Sequence, residues 1–123
     1  MKQKTFFIIF SLTLTLFLSG CAGIITPNKL DADFTVTGWE ISSLDNVKVF
    51  YTIKNTGDIT IDYYNVYFKA VCGDGSSYQN FDNGLNIKTG EELSGYAYVF
   101  VPSGKDVVSV YVNDYDLINY NYL

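Results

Sequence analysis

The feature that most constrains this chain is a period-two alternation of apolar and polar side chains. Val47, Val49, Tyr51 and Ile53 alternate with a set that contains two lysines and a threonine, and the run ends at the turn-forming sequence NTGD, residues 55–58. Successive side chains of an extended strand point to opposite faces, so this period indicates a strand with one buried face. The sequence therefore predicts a β-strand followed by a tight turn.

Similar runs recur along the chain, and each is bounded by residues that favour turns. The run 60–72 predicts a buried face formed by alternate residues from Tyr64 to Cys72 and ends at GDGS. Residues 78–87 form a weaker run, interrupted by Asn-Gly, and residues 93–101 form a stronger one that ends at Pro-Ser-Gly. The last run predicts a buried face made of Val108, Val110 and Val112.

An opening strand is predicted at residues 33–41. Phe34 and Val36 fall out of phase with Trp39 and Ile41, which indicates a bend or bulge at Gly38. The final segment, residues 114–123, fits no single pattern.

Six or seven short strands without helical periodicity predict an all-β antiparallel sandwich of two sheets over residues 30–123, with a small barrel as the alternative. Roughly 90 residues bury about 60% of their unfolded surface, enough for a core without disulfides. No internal repeat or second domain is evident.

Composition excludes several classes of function. The chain has no histidine, and all 8 of its basic residues are lysines. Histidine-based catalytic triads, histidine-ligated metals and arginine-led phosphate recognition are therefore ruled out.

The N-terminal residues have the pattern of a targeting signal. Lys2 and Lys4 precede the 13-residue, mainly apolar segment Phe6–Leu18, which is too short for a helix that must cross about 30 Å of hydrocarbon. A charged start followed by such a segment is typical of a secretory signal. Directly after it, Leu18, Ser19, Gly20 and Cys21 resemble the lipobox of bacterial lipoproteins. The alternative is an ordinary signal with a plain thiol at Cys21.

The lipobox resemblance implies a complete anchoring scheme. Residues 1–20 would be the signal peptide, cleavage would precede Cys21, and the Cys21 sulfur would carry a diacylglyceryl group. Residues 21–29 would then be the lipidated cysteine and a short tether. Ala22, where aspartate favours inner-membrane retention, implies the outer membrane if the cell has one.

Loss of residues 1–20 removes two lysines and leaves six against 13 acidic residues, a formal charge of −7. Such a body repels nucleic acid and anionic lipid, so no nucleic-acid partner is expected. With Cys21 acylated, Cys72 has no internal partner and is predicted to be a buried apolar side chain.

The stretch 49–95 resembles the small immunoglobulin-like domains of bacterial and archaeal surface proteins grouped as FxLYD or CARDB-like. The shared features are the strand ending IKNTGD, the alternating second strand with Phe68, a D-G turn, and the segment from Leu85 to Glu91. Ala70-Val71-Cys72 replaces Leu-Tyr-Asp, and Thr89 replaces the usual proline. The resemblance implies an immunoglobulin-like sandwich and transfers no functional residues.

Candidate catalytic chemistry is sparse. Asp31 with Asp33, and Asp114 with Asp116, could bind a cation only if the first and last strands brought all four together, and no cation-loop spacing is present. Residues 103–105 (SGK) lack the spacing of a serine/lysine nucleophile. We expect no catalytic residue, metal or cofactor.

Aromatic side chains are the feature that indicates binding. All 11 tyrosines follow the signal, and the alternation predicts that Phe50, Tyr63, Tyr67 and Tyr111 point outward. Exposed rings on a sheet can hold sugars or protein partners. The alternative is that they are strand-forming residues that stabilise the sheets.

These observations favour a membrane-anchored, non-enzymatic lipoprotein whose domain binds or scaffolds another envelope or surface component. A glycan-binding or adhesion module that uses the aromatic face is the alternative.

Replacement of Cys21 tests the anchor. Cys21→Ser lacks the sulfur that accepts the diacylglyceryl group, so the variant should keep its signal peptide and no longer partition into detergent. Phase partitioning and mass measurement of the intact chain check this. A Cys72→Ser control should partition as the wild type does. A cleaved Cys21→Ser protein that still enters the detergent phase would contradict the lipoprotein interpretation.

Overall fold

Six antiparallel strands follow one another in the computed structural model, which describes residues 28–43 and 45–122. The predicted lipobox, residues 18–21, lies outside the described residues. The elements are β1 (Ala32–Ser43), β2 (Asn46–Asn55), β3 (Ile61–Cys72), β4 (Ser77–Ile87), β5 (Glu92–Phe100), β6 (Val107–Ile118) and a terminal 3-10 helix (Tyr120–Tyr122).

The strands form two three-stranded sheets. Sheet 1 has the order β1-β2-β5 and sheet 2 has the order β4-β3-β6. All pairings are antiparallel. The predicted all-β sandwich is confirmed, and two separate sheets stand where the alternative expected a barrel. Among the described residues, no helix is long and apolar enough to cross a membrane.

The core lies between the central strands β2 and β3, which each have a neighbour on both sides. Alternate residues from Val47 to Ile53 of β2 and from Tyr64 to Cys72 of β3 are buried, as the alternation predicted. Phe68 is fully buried, and its ring lies 5.1 Å from that of Tyr51 across the two sheets.

The NTGD turn between β2 and β3 is organised by a buried asparagine. The Asn55 side chain donates to the carbonyl oxygens of Ile59 and Ile87, both at 2.9 Å, and accepts the amide N–H of Gly57. The Asn55 side chain therefore forms hydrogen bonds with backbone groups of the turn and joins the turn to the end of β4.

Several details of the last strand differ from prediction. The structure places Val107 in the core and leaves Val108 57% exposed, because β6 shifts register against β3 between the partners of Val71 and Cys72. Val110 and Val112 face inward but are only half-buried. The ambiguous segment after residue 113 continues β6 to Ile118.

Other strand predictions hold or become more definite. The register of β1 against β2 shifts between Val36 and Gly38, which confirms the predicted irregularity. The weak run 78–87 is one continuous strand, β4, despite its Asn-Gly. Cys72 is buried, as its apolar context predicted, and forms no disulfide within the described residues.

Truncation of Phe68 tests the assignment of the core. Phe68→Ala should lower the free energy of unfolding by about 3–5 kcal/mol because it leaves a cavity between the sheets. Val110→Ala, on a half-buried edge position, should cost less than about 1.5 kcal/mol. Urea unfolding followed by circular dichroism measures both, and equal costs would contradict the assigned inner and edge positions.

Candidate functional site

Both described chain ends lie at the same end of the sandwich. The Asn28 side-chain amide donates to the Tyr122 hydroxyl at 2.5 Å, and the Asp58 amide of the β2–β3 turn donates to the Lys29 carbonyl oxygen at 2.8 Å. We call this the terminal end. The opposite, distal end carries the β1–β2 turn, the β3–β4 turn and the β5–β6 loop.

The distal loops are joined by an ion pair. The Lys105 ammonium lies 2.5 Å from Asp74 Oδ2, and Asp74 also accepts the backbone N–H and hydroxyl of Ser76. The hydrogen bond from Lys105 lowers the pKa of Asp74, and the same contact raises the pKa of Lys105. Lys105 thus stays protonated, which makes it unsuited to act as a base for Ser103.

The outer surface of sheet 1 carries a cluster of aromatic rings around one lysine. In the register of β2 and β5, Lys48 lies opposite Tyr98 and Phe50 opposite Tyr96. The Lys48 ammonium lies 4.4 Å from the centroid of the Tyr96 ring, with two further rings within 6 Å of it. We call this cluster the Lys48 face; it consists of Lys48, Phe50, Tyr96, Tyr98 and Phe100.

The Lys48 face is open to solvent. Tyr96, Tyr98 and Phe100 are each at least 41% exposed. Beside Phe50, strand β1 contributes Gly38, and a Cβ built there would have no heavy atom within 4 Å. The Tyr96 and Tyr98 rings meet edge to face at 5.8 Å. Cation–π and ring contacts of this kind hold the side chains in one arrangement without covering them.

The outer surface of sheet 2 carries a second apolar set, which we call the Tyr67 face. The Tyr67 hydroxyl donates to Asp116 Oδ2 at 3.2 Å, and this hydrogen bond raises the pKa of Tyr67. The Tyr67 ring also lies 6.0 Å from that of Phe81. The cross-strand register places five apolar or aromatic residues on this surface: Tyr63, Tyr67, Phe81, Leu85 and Tyr111.

The four aromatic residues singled out from the sequence are therefore divided between two surfaces. Tyr63, Tyr67 and Tyr111 share the Tyr67 face, whereas Phe50 lies on the opposite sheet. Sequence reasoning missed the exposed members of β5. The signal was present, because Ala97 and Val99 are the buried positions of that run and place its tyrosines on the outer face.

The two Asp-x-Asp pairs do not converge. Asp33 lies opposite Lys54 on sheet 1, whereas Asp114 and Asp116 lie opposite residues of β3 on sheet 2. Asp31 instead pairs with Lys29 at 3.1 Å. Across the part of the chain that the structure describes, no group of three or more His, Cys, Asp or Glu residues could hold a metal ion.

A polar network closes one long side of the sandwich. The Tyr51 hydroxyl donates to Asp82 Oδ2 at 2.5 Å and accepts from the Tyr64 hydroxyl at 2.9 Å. Burial and the hydrogen bond to Asp82 raise the pKa of Tyr51 well above its usual range. Both rings lean over glycines, since a Cβ at Gly84 or Gly95 would lie within 3.0 Å of a tyrosine ring. The network is thus a structural link between the sheets.

No protein-family model, curated protein or solved structure matches this chain.

Removal of the central hydroxyl tests this network. Tyr51→Phe deprives both Tyr64 and Asp82 of a partner, so it should destabilise the fold by about 1–3 kcal/mol. Tyr64→Phe, the matched control, leaves the Tyr51–Asp82 hydrogen bond in place and should cost only about 0.5–1.5 kcal/mol. Urea unfolding compares the two, and a larger cost for Tyr64→Phe would contradict the assigned order of the network.

Proposed function

We propose that this protein is a membrane-anchored extracytoplasmic lipoprotein that is not an enzyme, and that its sandwich binds or scaffolds another component of the cell envelope or surface. The anchor would be the diacylglyceryl group on Cys21, in the outer membrane if the cell has one. The immunoglobulin-like FxLYD or CARDB-like resemblance belongs to the same proposal.

The arrangement of the chain ends supports one orientation of the anchored domain on the membrane. Cys21 precedes Asn28 by seven positions, and that length of chain reaches at most about 25 Å. Asn28 lies at the terminal end, so a lipid on Cys21 would hold that end toward the bilayer. The distal end and the outer sheet surfaces would then remain accessible to partners.

The observation that carries the binding proposal is the Lys48 face. Tyr96, Tyr98 and Phe100 offer flat apolar area, and their rings lose little conformational freedom when a partner covers them. Aromatic side chains grouped in this way are the residues that most often dominate binding energy at protein interfaces. The Lys48 ammonium adds a hydrogen-bond donor at the centre of this cluster, in a domain whose net charge is negative.

Glycan binding is the second candidate function. The Tyr96 and Tyr98 rings could stack against sugar rings while their hydroxyls bond to sugar hydroxyls. Titration with purified cell-wall polysaccharide, followed by tyrosine fluorescence, distinguishes this from protein binding. A saturable change that Tyr96→Ser abolishes would favour the glycan.

Paired face variants test the proposal. Tagged full-length protein is recovered from solubilised membranes with its bound components, alongside Tyr96→Ser/Tyr98→Ser and Tyr67→Ser/Tyr111→Ser. We expect the first variant to lose the specific component and the second to keep it. Tyr96, Tyr98 and Tyr111 are exposed, and substitutions at such positions usually change stability by no more than about 0.5 kcal/mol each. Tyr67 is half-buried and hydrogen-bonded to Asp116, so Tyr67→Ser should cost about 1 kcal/mol more, and both variants should remain folded.

Thermal unfolding of each variant is the control for that comparison. Loss of the component by the Tyr67-face variant alone would mean that the component binds the outer surface of sheet 2. Full recovery by both variants would contradict binding through the aromatic faces and leave the anchor as a separate question.

A further inference from the structure

The second long side of the sandwich, between β1 and β6, is closed only in part. Near the terminal end the Phe34 ring of β1 packs 4.9 Å from the Tyr115 ring of β6 and 5.6 Å from Tyr64. Exposure of the inward side chains rises toward the end of β1: Phe34, Val36 and Trp39 are half-buried, whereas Ile41 is 62% exposed. The opening thus lies in the half of this side that is nearer the distal end.

Four inward-facing side chains show the opening. Trp39 and Ile41 lie opposite Val49 and Val47, both buried, yet Trp39 is half-buried and Ile41 is 62% exposed. On β6, Val110 and Val112 lie opposite fully buried residues of β3 but are themselves half-buried. The strand alternation places all four side chains on the inner face of the sandwich, yet the described residues do not bury them completely. We call Trp39, Ile41, Val110 and Val112 the β1/β6 opening.

One edge of β6 pairs with no strand in the part of the chain that the structure describes, and this edge differs along its length. Toward the terminal end, the Tyr115 amide N–H bonds to the Asp114 carboxylate at 2.8 Å, which occupies a donor that an added strand would need. Residues 107–112 (VVSVYV) are uncharged and rich in β-branched residues. An edge of this kind presents main-chain donors and acceptors that favour pairing with another strand.

We infer that β6 accepts an extended segment of a different polypeptide, which pairs with residues 107–112 and covers the β1/β6 opening with alternate apolar side chains. This inference depends neither on the lipid anchor nor on the Lys48 face. Main-chain hydrogen bonds to β6 would supply affinity. Every second side chain of the added strand would face the β1/β6 opening and supply specificity.

Charge decides against a second copy of this chain as the occupant. In an antiparallel pair, directly opposed side chains share a face. The two register shifts of β6 against β3 lie on either side of Tyr111, so β6 can meet a second copy in phase when the pair is centred on Tyr111. This register opposes Asp106 to Asp116 of the second copy at both ends of the pair, which places like charges opposite one another.

The same aspartates indicate the charge that a partner strand should carry. Asp106 precedes the uncharged stretch, and Asp114 and Asp116 follow it on the exposed outer surface. Nearby Lys105 is held by Asp74. A strand with a basic residue near each end and small β-branched residues between them is complementary to this edge.

A strand fused to the full-length chain tests the inference. The probe follows Leu123 through a Gly/Ser linker of roughly 15 residues, which spans about 20 Å on average, and has the sequence Lys-Val-Thr-Val-Thr-Val-Lys. Its valines would face the opening and its lysines the outer surface. The matched controls are the linker alone and a strand in which glutamates replace both lysines.

Two readouts report occupation of the edge. Trp39 is the single tryptophan of the chain, and its emission should shift to shorter wavelength when the strand covers it. Amide hydrogen exchange in residues 108–112 should slow by about tenfold or more relative to the linker control. The glutamate strand should give little protection.

Charge variants of the host then test the partner chemistry. Asp106→Asn/Asp114→Asn should reduce the protection that the lysine strand gives, whereas Asp33→Asn, on the other sheet, should not. Unchanged Trp39 emission and exchange in the lysine fusion would overturn the inference. Equal protection by the glutamate strand would overturn the inference that the partner strand is basic. A dimer of the unmodified chain with protected β6 amides would overturn the inference that the partner is a different polypeptide.

Discussion

The structure depends on the contact between the inner faces of β2 and β3. The alternate residues from Val47 to Ile53 and from Tyr64 to Cys72 meet as two apolar rows, with Tyr51 against Phe68 at the centre. Of the six described strands, these two have a hydrogen-bonded neighbour on each side, so their inner side chains are removed from water almost completely. The other four strands extend this contact outward, and their burial falls with distance from it.

The two long sides of the sandwich end this contact in different ways. Toward β4 and β5, the hydroxyls of Tyr51 and Tyr64 continue outward to Asp82, and the Asn80 side chain donates to the Tyr98 carbonyl oxygen of β5 at 2.6 Å. Buried polar groups are satisfied there and the sheets are joined. Toward β1 and β6, the Phe34 ring of β1 lies 4.9 Å from the Tyr115 ring of β6 and 5.6 Å from the Tyr64 ring of β3, and these ring contacts join the sheets near the terminal end. The sandwich is therefore joined by polar contacts along one long side and is more open along the other.

The candidate surfaces could be predicted in part. The period-two pattern placed Phe50, Tyr63, Tyr67 and Tyr111 outward because side-chain direction in a strand is a local property. It could not divide them between two sheets, since strand pairing joins residues that are distant in sequence. Phe50 lies opposite Tyr96 of β5, more than 40 residues later, and that proximity exists only through the β2–β5 pairing. The same pairing surrounds Lys48 with aromatic rings.

The sequence alone determined the positions of most strands, the turn at residues 55–58 and the all-β class, because alternation and turn chemistry depend on neighbouring residues. It favoured two sheets over a small barrel, and the structure decided between them. It also determined the irregularity at Gly38, where the apolar phase changes within β1. Only the tertiary structure decided that Val108 is exposed while Val107 is buried, because a register shift against β3 moves the phase of β6. It also decided which edges stay open, because the burial of a side chain on an edge strand depends on whether another strand lies beside it.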